Sequence, residues 1–135
     1  MSLESIQKAF DDYLKAQVGT LAVAWPGQTF KPDLTQPYLK PVMSAYTRCQ
    51  VGIGARYIRH TGTYKIELFA PANKGVAAAA RVLDPLLPFF AQGTSLSTSD
   101  GHSITLYEAD VKPSVDGDPK FLQVPVLVPW WCDEF

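Results

Sequence analysis

Arg56-Tyr-Ile-Arg59-His60-Thr-Gly62-Thr-Tyr64-Lys-Ile66-Glu-Leu68-Phe69-Ala-Pro71-Ala-Asn73-Lys-Gly75, followed by Val76-Ala-Ala-Ala-Ala80-Arg-Val-Leu83, is the stretch that decides the fold. Its first half alternates. Tyr64, Ile66 and Leu68 fall on one face and Thr63, Lys65 and Glu67 on the other, the period of a half-buried strand. After the break at Pro71 the alanine run predicts a helix lined with methyl groups, able to lie close against that sheet. The segment contains no nucleophile, metal cluster or phosphate loop. It reads as a building unit, which points toward assembly rather than chemistry.

Upstream, Ser2 is placed to cap a first helix, with Glu4 in its first turn near the positive end of the dipole. Leu3, Ile6, Phe10, Tyr13 and Leu14 form its apolar stripe and Gly19 its stop. A short apolar run, Leu21 to Trp25, ends at Pro26-Gly27, and residues 28–37 with Pro32 and Pro37 predict an irregular crossing loop. Tyr38 to Arg48 reads as a strand with Leu39, Met43 and Ala45 on one face. Pro41 has no N–H for a ladder, so this strand belongs at a sheet edge or carries a bulge. Gly52-Ile53-Gly54 marks a tip, making the two strands a hairpin with a long basic end.

Downstream, the second helix begins at Asn73 or Gly75 and buries Val76, Ala80, Leu83, Leu87 and Phe90. Asp84-Pro85 predicts a kink or a second short helix running to Phe90. Three short strands are expected at residues 94–96, 103–107 and 110–115, the first two joined through Ser99-Asp100-Gly101. The final strand, Lys120 to Trp130, turns Leu122, Val124, Val126, Val128 and Trp130 to one face. Pro125 and Pro129 withhold their N–H groups on one lateral side, so that side reads as an apolar edge needing a cover. A neighbouring subunit is one candidate cover.

The chain has 135 residues, 47% hydrophobic and 19% charged, which fits one ordered domain over residues 1–135. The expected class is α+β: a mainly antiparallel sheet packed against two helices in a single compact domain. A net charge of -1 argues against broad electrostatic capture of nucleic acid. No apolar run reaches the roughly 18 residues of a membrane span, and the amphipathic start does not resemble a secretory leader. Cys49 and Cys132 are therefore expected as reduced thiols in a cytosolic setting.

These residues together resemble the tail terminators and tail-completion proteins of long-tailed bacteriophages and prophages. The likeness rests on Ala22-Val-Ala-Trp25-Pro26 with Phe30, Pro37-Tyr38-Leu39, and the tip glycines Gly52 and Gly54. It continues through Gly62-x-Tyr64-x-Ile66-x-Leu68, Pro71 and Gly75, and ends in Val124-Pro125-Val126-x-Val128-Pro129-Trp130. Gly27 stands where the family often has Asn, and Cys132-Asp-Glu-Phe135 matches no family signature. The resemblance implies a structural virion protein that closes into a homo-oligomeric, hexameric ring. The ring would cap the tail tube, halt its polymerisation, meet the head-tail connector and let DNA pass through its lumen. Assembly would take place in the host cytoplasm. It implies no catalysis and no cofactor. A head-closure or neck protein is the alternative within the virion. A small cytosolic enzyme or ligand-binding domain is the alternative outside it.

The family brings no diagnostic site residues, so candidates come from the residues themselves. Arg48, Arg56, Arg59 and His60 surround the glycine tip. They read either as a basic loop that docks on the tube or lines the lumen, or as a solvated hairpin end. Ring symmetry would multiply this local charge into a belt. Of the Trp130-Trp131 pair, alternation sends Trp130 to the core and offers Trp131 as an interface anchor. Asp116-Gly-Asp118 lacks the spacing of a calcium loop and reads as a turn. His60 and His102 lack paired zinc spacing, and Cys49 with either histidine lacks any accompanying oxyanion motif.

Overall fold

The computed structural model of the chain describes residues 2–19, 21–31, 35–52, 57–71, 75–112, 115–118 and 121–134. Helix α1, Leu3–Val18, starts on a capping box in which the Ser2 hydroxyl accepts the Ser5 N–H and Ser5 returns the favour to Ser2. Ile6, Phe10 and Leu14 recur at helical spacing and are fully buried, while Lys8 and Asp12 pair on the solvent side. Leu3 lies outside the core. Gly19 ends the helix at φ 59°, a left-handed value that glycine adopts without steric cost.

Two long strands follow a two-residue one. Strand β1, Ala22–Val23, runs parallel to the start of β2, Tyr38–Val51, which pairs antiparallel with β3, Tyr57–Pro71. Both sequence expectations for Pro41 hold. Beyond Leu39 the outer side of β2 has no strand partner among the described residues, and a bulge between Met43 and Ala45 interrupts its register. The bulge also corrects the facing of this strand. It inserts one residue, so Leu39, Pro41 and Met43 are continued on the helix side by Tyr46, and Ala45 is exposed.

Helix α2, Gly75–Leu83, stops before Asp84-Pro85, and a 3-10 helix, Leu87–Phe90, follows. Its buried stripe is Ala79, Leu83, Leu86 and Phe90, in place of the expected Ala80 and Leu87. Ala79 shares the face of Leu83 one helical turn on, and beyond the proline break Leu86 rather than Leu87 points inward. Strands β4, Ser95–Ser97, and β5, Ser103–Leu106, form the expected hairpin, with Gly101 at φ 87° in its turn. Strands β6, Asp110–Val111, and β7, Val115–Asp118, are separate pieces, so Asp116-Gly-Asp118 lies in a strand rather than a turn. The Val76 side chain, together with Pro32, Ile53, Gly54, Arg56, Asn73 and Phe135, lies outside the described residues.

The last strand, β8, Phe121–Glu134, corrects the largest sequence expectation. It is central, not an edge: β3 pairs it along its whole length, and β7, β6 and β5 pair it in turn on the other side. The Pro125 and Pro129 carbonyls accept the Lys112 and Tyr107 N–H groups on that second side. The prolines therefore do share one lateral side. The chain covers it with short strands whose breaks coincide with the missing donors, and no neighbouring subunit is needed there.

One sheet of order β1-β2-β3-β8-β5-β4 results, with both helices contributing to a single core on one face. Tyr64, Ile66, Leu68, Val124, Val126, Val128 and Trp130 supply the sheet side of that core. Phe10 of α1 stacks on Tyr64 at 4.6 Å, and the Tyr64 hydroxyl donates to Asp11 Oδ1 at 2.5 Å, tying helix to sheet. The fold is α+β and mainly antiparallel, as expected.

Candidate assembly surface

The opposite face of the sheet carries no helix among the described residues. At one end it is closed by stacked aromatics, with Tyr38 against Phe69 at 4.8 Å, Phe30 against Tyr38 and Phe121 edge-on to both Tyr38 and Phe69. Toward the other end Leu127, Pro129 and Trp131 are half-exposed and Tyr107 is 46% exposed. Three of the cations on this face are paired within the chain, while Lys40, the register partner of Glu67, is exposed. Arg59 makes two bonds to Asp133, at 2.8 and 3.0 Å. Lys65 pairs with Glu67 at 2.9 Å, and Glu67 also accepts from Gln123. Lys112 pairs with Asp110 at 2.7 Å. Such a surface can be dried against another protein with little uncompensated charge to desolvate.

The sequence candidates separate on this scaffold. Trp130 is 1% exposed in the core, and Trp131 lies on the helix-free face with the Arg59 guanidinium 5.4 Å from its ring centre. Arg59 therefore belongs with Trp131 and Asp133, and its bond to Asp133 holds that carboxyl below the usual range. Arg48 faces the other way: its register partner is His60, on the helix side of the sheet. His60 is 1% exposed, its Nδ1 2.6 Å from the Tyr46 hydroxyl, while Nε2 lies 3.7 Å from Glu134 and makes no hydrogen bond. Burial holds the ring below the ordinary imidazole value, against the pull of Glu134. Arg48, Arg59 and His60 thus do not form one cluster, and Arg56 lies outside the described residues. What sequence reasoning missed is Asp133 as the partner of Arg59. Extending the alternation of β8 through residue 133 would have placed it on that face.

Among the described residues the features of a catalytic site do not converge. Neither cysteine is in a disulfide, with Cys49 exposed on β2 and Cys132 buried on β8. Burial, with Asp133 nearby, pushes the Cys132 thiol up to about 11, so it stays protonated at neutral pH. His60 is its register partner but is bonded to Tyr46 instead. The His102 ring meets Asp100 at 3.2 Å in the β4–β5 turn. A cleft of about 650 Å³ lies between the end of α1 and the α2–3-10 junction, lined by Val18, Leu21, Val82, Pro85, Leu86 and Phe89 among others. Its lining has no ionisable side chain, and both histidines lie elsewhere. Among the described residues no group of three or more His, Cys, Asp or Glu is placed to hold a metal.

The sheet is backed by helices on one face, and Arg59, Lys65 and Lys112 on the bare side are paired within the chain. The sequence matches the family model described as phage tail terminator protein over residues 5–130. The chain belongs to the phage tail terminator family and is a structural protein of the phage particle. A solved structure carrying no functional description superposes with a TM-score of 0.73 at 24% identity, covering 100% of this chain and 97% of its own. A chain from the virion of a native gene transfer agent particle is similar at a TM-score of 0.61 and 19% identity, covering 97% and 96% respectively. At these identities the likeness is one of fold. No functionally curated protein matches the chain.

Proposed function

We propose that this protein caps the phage tail tube as a ring of identical copies, ends tube polymerisation and prepares the end for head joining. Its partners are then further copies of itself, the tube subunit and the head-tail connector, with DNA passing through the lumen. Assembly takes place in the host cytoplasm before the ring becomes part of the virion tail. The observation that carries this reading is the family match across residues 5–130, nearly the whole fold. The helix-free face supports it: Trp131, Pro129, Leu127 and Tyr107 supply apolar contact area while Arg59, Lys65 and Lys112 are already paired. In this reading Trp131 is an interface anchor, Arg59 orients it, and Arg48 lies toward the hairpin end. His60 supports the base of that hairpin from inside. Electron microscopy of the protein mixed with purified tail tubes tests the proposal. The expected result is extra ring density at one tube end, and bare ends at saturating protein would refute it.

A further inference from the structure

The ladder of β2 identifies which of its main-chain groups are unused. Ala24, the residue after β1, donates its N–H to the Leu39 carbonyl, so Leu39 faces away from β3, and Pro41 and Met43 share that direction. Pro41 therefore loses nothing by lacking an N–H. The bulge advances the phase by one residue, after which Tyr46, Arg48 and Gln50, register partners of Gly62, His60 and Ile58, face outward. The prolines of β8 give the same result independently. Their carbonyls are bonded on the side away from β3, so Thr63 and Glu67, opposite them, turn to β2, and Gly62 and His60 turn to β8. No strand or loop backbone bonds the outward groups of Tyr46 or Arg48 among the described residues. From Ala45 to Val51 this edge has none of the usual guards, neither proline, lysine nor acidic side chain, and a single Arg.

The other end of the sheet is β4. The Leu106 N–H of β5 donates to the Thr94 carbonyl and the Thr98 N–H to the carbonyl of His102 just before β5, so Leu96 turns toward β5 and Ser95 and Ser97 face outward. This edge is also uncharged and free of proline. Four antiparallel steps separate the two edges, β2 to β3 to β8 to β5 to β4, so β4 runs in the same direction as β2.

The geometry points to one junction, resting on the ring reading above: the β2 edge of one copy receives the β4 edge of the next as a parallel strand, continuing the sheet around the ring. Two different edges meet, so each copy keeps one of each to offer, which is the condition for a cyclic assembly rather than a closed pair. Rotation about a ring axis preserves strand direction, and the parallel sense of β2 and β4 satisfies it. Only Ser95 and Ser97 contribute outward groups on the β4 side, so a single junction is weak in dilute solution. The tube end, by gathering the copies, makes it effective.

Proline substitution tests this without touching the internal ladder. Arg48→Pro and Ser97→Pro each delete an outward N–H, whereas Arg48→Ala removes the charge and keeps the N–H. Rings on tube ends are expected for wild type and Arg48→Ala, and loss of rings for both proline variants with wild-type circular dichroism. Rings from folded proline variants would overturn the edge junction while leaving the ring reading intact. Absence of wild-type rings would overturn both. Where a proline variant fails to fold, cross-linking decides. Cys49 is exposed on the helix-free face, and Ser97 pairs with Ser103 on that same face. Ser97→Cys treated with a short bis-maleimide on tubes is expected to give a ladder of covalent multimers that Cys49→Ser abolishes. Monomer alone would overturn the junction.

Discussion

Gly62 lies directly opposite Trp130 across the β3–β8 ladder, and the indole occupies the space a side chain at position 62 would need. A Cβ there would stand 2.8 Å from Trp130 Cζ2 and would also collide with the Ala45 carbonyl, which the β2 bulge brings against β3. The indole N–H points on to Met43 Sδ at 3.3 Å. One missing side chain thus lets the bulged strand, the core tryptophan and α1 close together. Gly62→Ala is expected to cost about 1–3 kcal/mol, toward the upper end because a main-chain carbonyl cannot rotate aside. Urea unfolding monitored by tryptophan fluorescence measures it, and an unchanged midpoint would contradict this packing.

Tyr64→Phe removes the donor to Asp11 and leaves a half-buried carboxylate without it, at a cost of about 1–3 kcal/mol. Burial already raises Asp11 above the ordinary carboxylate value, the Tyr64 bond opposing that rise. A raised folded value means the folded state holds its proton longer, so this group's contribution falls as pH rises from the ordinary value through the raised one. Loss of the bond should lift Asp11 further and widen that window. Unfolding free energies of the two proteins between pH 4 and 7, on the order of one measurement per half unit, read the difference directly.

His60 has the opposite sign. Its folded value lies below the unfolded value of about 6.5, so the unfolded chain takes up more protons as pH drops through that point. Stability is therefore flat above about 6.5 with respect to this group and declines below it, down to the lowered folded value. His60→Phe should flatten the slope below about pH 6.5, whatever its effect on absolute stability. An identical slope in both proteins would show that His60 is not the group responsible.

The fold was legible where periodicity and side-chain chemistry act locally. Ser2 and Gly19 bound α1, Tyr64-x-Ile66-x-Leu68 set the buried face of β3, and Ser99-Asp100-Gly101 turned the β4–β5 hairpin. Errors arose where a local signal has two spatial solutions. Pro125 and Pro129 do withhold donors on one side, but sequence cannot tell an open edge from one covered by interrupted short strands. The bulge at Ser44 is likewise set by the Gly62–Trp130 packing, which no window around residue 44 contains. The basic groups around the tip divide between faces for a related reason. Alternation sends Arg59 and His60 to opposite faces, and the carboxylate that neutralises Arg59 lies 74 residues away.

Arg59 and Asp133 form a closed pair, so exchanging them tests whether the cation acts on a partner. Arg59→Glu alone places a carboxylate beside Asp133 and should reduce tube capping. Arg59→Glu with Asp133→Arg should restore it. A folded double variant that fails to cap would assign Arg59 a direct contact with the partner instead.

Trp131→Ala removes an apolar anchor from the helix-free face without opening the core, since Trp130 fills the inner side. Its unfolding midpoint should stay near wild type while binding to tubes weakens by at least about tenfold, the scale of an interface hot spot. Co-sedimentation with tubes gives the affinity. Unchanged binding would remove Trp131 from the contact.

The most direct measurement follows purified tube subunits as they polymerise, with the protein added midway and tube lengths scored by electron microscopy. Capping predicts that growth stops at the time of addition, giving a narrow length distribution and a ring on one end of each tube. Continued elongation at saturating protein, with ends indistinguishable from controls, would contradict it.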